Sequence, residues 1–202
     1  MSLLLLSSVP TDGAQSNMSI SIGGHTFTTS LDDNWTANQA NVINYNPQKY
    51  FADSLSRFEM TNQGDGGNAS ADHVPKYAID WTGTQAVSAF SYKTKQSPES
   101  ITKYGLTKYG FVDIRVLKLT NDYIEAYSPS PDDTLSHAAD SISGRVIDTE
   151  FNGKPAMKSR DNDDSHSVIA VLLDNTTVAL INVQTSHIGM SAQDIINQMT
   201  VD

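Results

Sequence analysis

Two apolar runs near the end of the chain constrain its fold more than any other feature. Val168–Leu173 and Val178–Val183 are rich in β-branched residues, and the turn-forming segment Asp174–Thr177 separates them. This pattern predicts two adjacent antiparallel strands. Because both runs are almost continuously apolar, both faces of the strands must be buried. We therefore expect a layered α/β (α+β) structure in which helices pack above and below a mainly antiparallel central sheet.

Shorter segments complete this plan. Gly23–Gly24 separates two alternating segments and predicts an early hairpin. Tyr123–Tyr127 is interpreted as a short strand. Thr134–Ser143 carries apolar residues at helical spacing behind a capping Asp132 or Asp133. Ala192–Met199 predicts a closing amphipathic helix that Ser191 and Asp194 cap.

The order of these elements resembles the PsbP-like (Mog/PsbP) fold, which is also seen in a Ran-binding nuclear transport factor and in many secreted prokaryotic proteins. The resemblance rests on the hairpin that ends in Leu31–Trp35, the helix Thr134–Ser143, the strands between Val146 and Val183, and above all the closing helix Ala192–Met199. It implies a layered sandwich with a central antiparallel sheet flanked by helices. It also implies a binding or accessory domain, and it carries over no functional residue because the group shares no active site.

The length of 202 residues suits one domain with a short tail. Residues 1–17 are predicted to be a flexible N-terminal tail, and residues 18–202 a single PsbP-like domain. The run Leu3–Leu6 is either the remnant of a secretory signal peptide or an apolar chain end. It is too short to span a bilayer.

The composition favours an extracytoplasmic protein over a cytosolic enzyme. Charged residues make up only 18% of the chain, while Ser, Thr and Asn are abundant, and four N-x-Ser/Thr sequons occur. The net charge of −10 disfavours nucleic acid and bare membrane as partners. The absence of cysteine excludes thiolate metal sites, cysteine nucleophiles and disulfides.

The densest acidic cluster is a candidate metal site. Asp161, Asp163, Asp164 and His166 could together hold a divalent cation. The cluster is not an EF-hand loop, since His166 stands where a Gly is needed and Leu172 where a bidentate Glu is needed. A charged hairpin turn is the alternative interpretation.

A second candidate is a basic, tyrosine-containing patch, since Tyr and basic side chains favour interfaces. The alternative is a solvated strand face with extended lysines. The candidate partner-binding residues are Tyr92, Lys93, Lys95, Lys103, Tyr104, Lys108 and Tyr109.

No motif for a catalytic serine, a phosphate loop or a bound cofactor is present, and we predict no cofactor. We expect a non-enzymatic binding or accessory domain that acts through protein or cell-envelope contacts. Two alternatives stay open: a surface hydrolase or weakly metal-dependent enzyme that uses the segment Asp161–His166, and an intracellular adaptor. An enzyme should place that segment in a cleft, and a binding domain should place it on an exposed turn.

Overall fold

The computed structural model describes residues 15–46, 80–93, 108–142 and 144–202. Within these ranges the fold is a mixed α/β structure made mainly of antiparallel sheet. The strands are β1 (Ser16–Ile22), β2 (His25–Leu31), β3 (Trp35–Ala37), β4 (Val42–Tyr45), β5 (Trp81–Tyr92), β6 (Tyr109–Leu119), β7 (Val146–Phe151), β8 (Lys154–Ser159), β9 (His166–Asp174), β10 (Thr177–Ser186) and β11 (Thr200–Val201). The helices are α1 (Asn121–Tyr127), α2 (Pro131–Ala139) and α3 (Ala192–Gln198).

The larger sheet has eight strands in the order β3-β5-β6-β10-β9-β8-β7, and β4 also pairs with β5. Strand β10 lies between β6 and β9 and is antiparallel to both. Ala179, Ile181 and Val183 of β10 are fully buried on one face of this sheet. The prediction of a central β9–β10 hairpin is therefore confirmed.

A smaller sheet, β1-β2-β11, packs with α3 against one face of the larger sheet. The β1–β2 turn uses Gly23 (φ 61°) and Gly24 (φ 85°), and both angles favour glycine. The hairpin buries Ile20 and Phe27 in the core that it shares with the larger sheet. The expectation of helices alone on both faces was wrong for this face, because the alternating hairpin has an apolar face of its own to bury.

The opposite face of the larger sheet carries α2, whose Leu135 and Ala138 pack on Leu172 and Leu180. The Ser130 side chain accepts from the Asp133 N–H (3.1 Å), and the Asp133 carboxylate accepts from the Ser130 N–H (3.0 Å). This capping box fixes the helix start at Pro131, earlier than predicted, with Ser130 as the cap. Asp132 and Asp133, which were predicted as alternative caps, instead lie in the first turn of the helix.

Segment Tyr123–Tyr127 was wrongly predicted as a strand, since it belongs to α1. Thr120 caps the helix by accepting from the Tyr123 N–H (3.4 Å). The rings of Tyr123 and Tyr127, one turn apart, lie with centroids 4.8 Å apart. Five residues are too few for a helical period to be distinguished from strand alternation.

The predicted closing helix is confirmed as α3. Ser191 and Asp194 form the expected capping box, and Ala192, Ile195 and Ile196 are buried. The Asn152 side-chain amide donates to the Met199 carbonyl (2.8 Å), which ties the β7–β8 turn to the end of α3.

At the other end of the chain, β1 begins at Ser16, two residues before the predicted domain boundary. Residues 1–14 of the predicted tail lie outside the described residues.

Candidate functional site

One face of the larger sheet divides into two halves along β6 and β10. Residues directly opposite each other on paired strands share a face, and so do alternate residues along one strand. Leu117 opposite Val178 belongs to the core beneath the helices, whereas Asp113 lies opposite Asn182 and Phe111 opposite Gln184. The covered half comprises Leu117, Ala170, Leu172, Val178 and Leu180. The open half comprises Tyr109, Phe111, Asp113, Arg115, His166, Asn182 and Gln184.

A cavity of about 380 Å³ lies where the open half meets the segment after α2. Its polar lining includes side chains of both charges, Asp113, Arg115 and Asp161. Ile142 and Val168 add apolar surface. A concave site of this size with a few polar groups on an apolar base is typical of small-molecule sites.

Arg115 is the cationic group of the cavity. Its guanidinium carbon lies 5.6 Å from the centre of the Tyr45 ring. Among the described residues, no carboxylate forms an ion pair with Arg115. The contact with the aromatic ring restricts the orientation of the exposed guanidinium and leaves its N–H donors available. A guanidinium binds carboxylates through two parallel hydrogen bonds.

Asp113 is positioned by an irregularity in the neighbouring strand. The β5–β6 register shifts between Ala86 and Phe90, and Ser88 within this bulge has a φ of 51°. One carboxylate oxygen of Asp113 accepts from the Ser88 N–H (2.7 Å). The bulge therefore fixes the Asp113 side chain at the edge of the cavity.

His166 and Asn182 lie between the charged residues. His166 Nε2 donates to the Asn182 side-chain carbonyl (2.9 Å), which leaves the two amide hydrogens of Asn182 as the donors it offers to the cavity. An uncharged imidazole that carries its proton on Nε2 has Nδ1 as an acceptor. Between them, the two side chains can therefore offer both donor and acceptor atoms to the cavity.

Asp161 forms the opposite side of the cavity, beyond the end of β8. Its carboxylate lies against Gly144, where an added Cβ would come within 2.5 Å of Asp161 Oδ2. Gly144 also has a φ of 84°, a conformation that side chains rarely adopt. The close approach of these two residues depends on glycine at position 144.

The four predicted metal ligands do not converge. Asp161 and His166 line the cavity, whereas the Asp163 carboxylate accepts from the Ser165 hydroxyl (2.8 Å) and from the N–H groups of Ser165 and His166 (2.7 Å each). These hydrogen bonds, that of the Ser165 hydroxyl first, hold the pKa of Asp163 below its usual range. The described part of the chain contains no group of three or more His, Asp or Glu side chains suited to a metal ion.

The Asp164 residue contributes through its backbone. Its carbonyl accepts from the Ala192 N–H (2.8 Å) and from the Thr185 hydroxyl (3.1 Å). Both contacts dock the acidic turn on the start of α3 and the end of β10. The segment is thus an exposed structural turn that places only its two ends at the cavity.

The predicted basic patch is brought together only in part. Strand β5 ends at Tyr92, which Lys93 follows, and β6 begins at Tyr109, which Lys108 precedes, at the same end of the sheet. Tyr92 packs edge-on against Trp35 at 5.8 Å, and burial, followed by the charge of Asp32, raises its pKa. Tyr109 instead belongs to the open half, where its ring stacks on Phe111 at 6.3 Å. Lys95, Lys103 and Tyr104 lie outside the described residues.

A histidine–carboxylate pair elsewhere on the molecule supports the packing of the helices. His137 Nε2 lies 3.1 Å from Asp80 Oδ2, and its ring stacks with Trp81 (5.4 Å) and Tyr123 (5.0 Å). Through these two ring contacts the imidazole of α2 joins α1 and β5. This arrangement accounts for His137 as a structural residue.

Comparisons with protein-family models, with curated proteins and with solved structures give no match. No helix in the described ranges has the length and apolar character needed to cross a membrane.

Asp113 and Asn182 were not predicted as site residues, whereas Arg115 belongs to the basic segment from which the partner-binding patch was predicted. A signal for them was present, because polar residues alternate with buried ones at Asp113 and Arg115 of β6 and at Asn182 and Gln184 of β10. Polar residues at alternate positions of a central strand indicate a face that the core does not fill. Only the strand register shows that the two sets lie side by side.

Proposed function

We propose that this chain is a non-enzymatic, extracytoplasmic binding domain that contacts a component of the cell envelope through the open half. The observation that carries the proposal is the cavity with Arg115, Asp113 and Asn182 on adjacent central strands. Polar residues on central strands lower the stability of the fold relative to apolar ones, so their presence there indicates a function other than core packing. Binding is the purpose that exposed donors and acceptors serve most directly.

The PsbP-like fold is part of the same proposal. The antiparallel central sheet, the early hairpin and the closing helix α3 support it. So do the positions of α2 and α3, which pack on opposite faces of the larger sheet. The abundance of Ser, Thr and Asn and the low content of charged residues support the extracytoplasmic location.

The test is sedimentation of fluorescently labelled protein with cell-envelope preparations. The double variant Arg115→Ala/Asn182→Ala should reduce the bound fraction at least about tenfold, since it removes charge-assisted hydrogen bonds. The matched variant Lys118→Ala/Asn121→Ala removes the same charge and the same amide at exposed positions outside the cavity. Equal sedimentation of all three proteins, or none by the unaltered chain, would contradict the proposal.

A hydrolase is the second candidate, because Asp161 and His166 both line the cavity. In a hydrolase of this kind, the hydrogen bond from His166 Nε2 to Asn182 would orient the ring and leave Nδ1 as the general base. Asp161→Asn would abolish turnover in a hydrolase and leave envelope binding measurable. Assays of the envelope preparation for released product distinguish the two functions.

A further inference from the structure

The charges of the cavity define the chemistry of its ligand, and this inference rests on the proposed function of the open half. Arg115 offers a guanidinium for which the described residues provide no carboxylate partner. A guanidinium that has no carboxylate partner in the described ranges matches a ligand that brings its own carboxylate.

Two carboxylates on opposite sides of the cavity define the rest of the ligand. Asp113 lies on β6 next to Arg115, whereas Asp161 follows β8, which is three strands away in the order β6-β10-β9-β8. Adjacent strands are about 4.8 Å apart, so the two carboxylates approach the ligand from different sides. A single ammonium group reaches only one of them, whereas a ring of hydroxyl groups donates to both.

The remaining lining suits the same ligand. The Asn182 amide hydrogens can donate to ring or hydroxyl oxygens. Ile142 and Val168 offer apolar surface to carbon-bound hydrogens. The carboxylates of Asp113 and Asp161 repel a doubly charged phosphate more strongly than a singly charged carboxylate, and the net charge of the chain disfavours a long polyanion.

We propose that the cavity binds a sugar acid, one hexuronate unit of an envelope carbohydrate, with its carboxylate on Arg115 and its hydroxyl groups on Asp113, Asp161 and Asn182. Arg115 distinguishes the sugar acid from a neutral sugar, and the two aspartates recognise the hydroxyl groups common to both. The site binds one unit and leaves the neighbouring units of the chain in solvent beside Tyr109, which is 40% exposed.

The proposal is tested by calorimetric titration of the whole chain with sodium glucuronate, methyl glucoside and glycylglycine. Glucuronate should bind with a dissociation constant of about 1 mM, which is ordinary for a ligand of its size. It should bind at least about tenfold more tightly than methyl glucoside. Glycylglycine, which carries an ammonium and a carboxylate but no hydroxyl groups, should give no binding heat.

Variants separate the roles of the residues. Arg115→Ala should lower the affinity for glucuronate to that for methyl glucoside, and Asp161→Asn should weaken both sugars by a similar factor. Lys118→Ala removes a cation from the same strand outside this cavity and should change neither affinity. Melting temperatures of the variants verify that each is folded.

Several outcomes would overturn the proposal: equal affinity for glucuronate and methyl glucoside, tighter binding of glycylglycine, or no binding heat with either sugar. If sedimentation with envelopes still depends on Arg115 and Asn182 while glucuronate gives no heat, the sugar-acid ligand is wrong and the binding function stands. If neither measurement depends on these residues, both proposals fail.

Discussion

The covered half and the open half belong to the same face of the same strands, yet they have different environments. Along β10, Val178 and Leu180 lie beneath α2, and Asn182 and Gln184 follow at the next two positions on that face. Along β6, Leu117 is followed in the same way by Arg115 and Asp113 in the direction of Tyr109. Leu180 of the covered half lies opposite Arg115 of the open half, so the change from apolar to polar comes two residues later in register on β10 than on β6, and the boundary crosses the sheet obliquely.

This boundary shows that strand position alone does not decide burial. The opposite face of β10 stays apolar from Ala179 to Val183, where it packs in one core with the smaller sheet and α3. A strand can thus serve the core along one face and a binding surface along half of the other. The following predictions test this division, from the largest expected effect to the smallest.

The largest effect is expected from truncating a side chain of the covered half. Leu180→Ala should lower the free energy of unfolding by about 2–5 kcal/mol, since it removes buried contacts and leaves a cavity under α2. Asn182→Ala, two residues along the same strand and face, should cost no more than about 1 kcal/mol. Urea unfolding measures both. Equal losses for the two variants would remove the distinction between the halves.

Gly144 allows the effect of backbone strain to be separated from the geometry of the cavity. Gly144→Ala and Gly24→Ala introduce a side chain at φ values of 84° and 85°, and each should cost about 1–3 kcal/mol. Only the Cβ at position 144 meets a neighbour, the Asp161 carboxylate at 2.5 Å, because nothing lies within 4 Å of a Cβ at position 24. Glucuronate affinity, measured by calorimetry, should therefore fall only for Gly144→Ala. Loss of affinity in both variants would show that strain, and not displacement of Asp161, is responsible.

The capping box of α2 tests how firmly the covering helix is held. Ser130→Ala removes the acceptor of the Asp133 N–H and should destabilise the protein by about 1 kcal/mol. Ser136→Ala changes an exposed serine inside the same helix and should be neutral or slightly stabilising. Thermal or urea unfolding compares the two. A neutral Ser130→Ala variant would mean that α2 does not depend on this cap.

The smallest effect concerns the acidic turn beside the open half. The pKa of Asp163 is lowered in the folded state, so its contribution to stability is present above the unfolded pKa of about 3.9 and is lost as the pH falls through the folded value. Unfolding midpoints in urea should therefore decline below about pH 4, and Asp163→Asn should make that decline shallower. Asp164→Asn is the control, since Asp164 contacts the fold through its carbonyl. An identical pH profile for Asp163→Asn and the unaltered protein would contradict this role.

The sequence predicts the central hairpin, the early hairpin and the capped helix α3 because each has a local signal: β-branched runs, a Gly-Gly turn, and the Ser191/Asp194 box. It does not predict the smaller sheet, since the pairing of β11 with β2 joins residues such as Val201 and Phe27 that are far apart in the chain. The candidate site likewise consists of residues that are far apart in the chain. Arg115, Asp161 and Asn182 lie on separate elements and meet only through strand order.

Chemical-shift mapping with sodium glucuronate tests most directly whether one sheet face has two roles. In isotope-labelled protein, the amide signals of Arg115, His166 and Asn182 should shift saturably, while those of Leu117 and Val178 in the covered half stay in place. Shifts that cluster in the covered half or on the smaller sheet, or no saturable shift at any residue, would contradict the account.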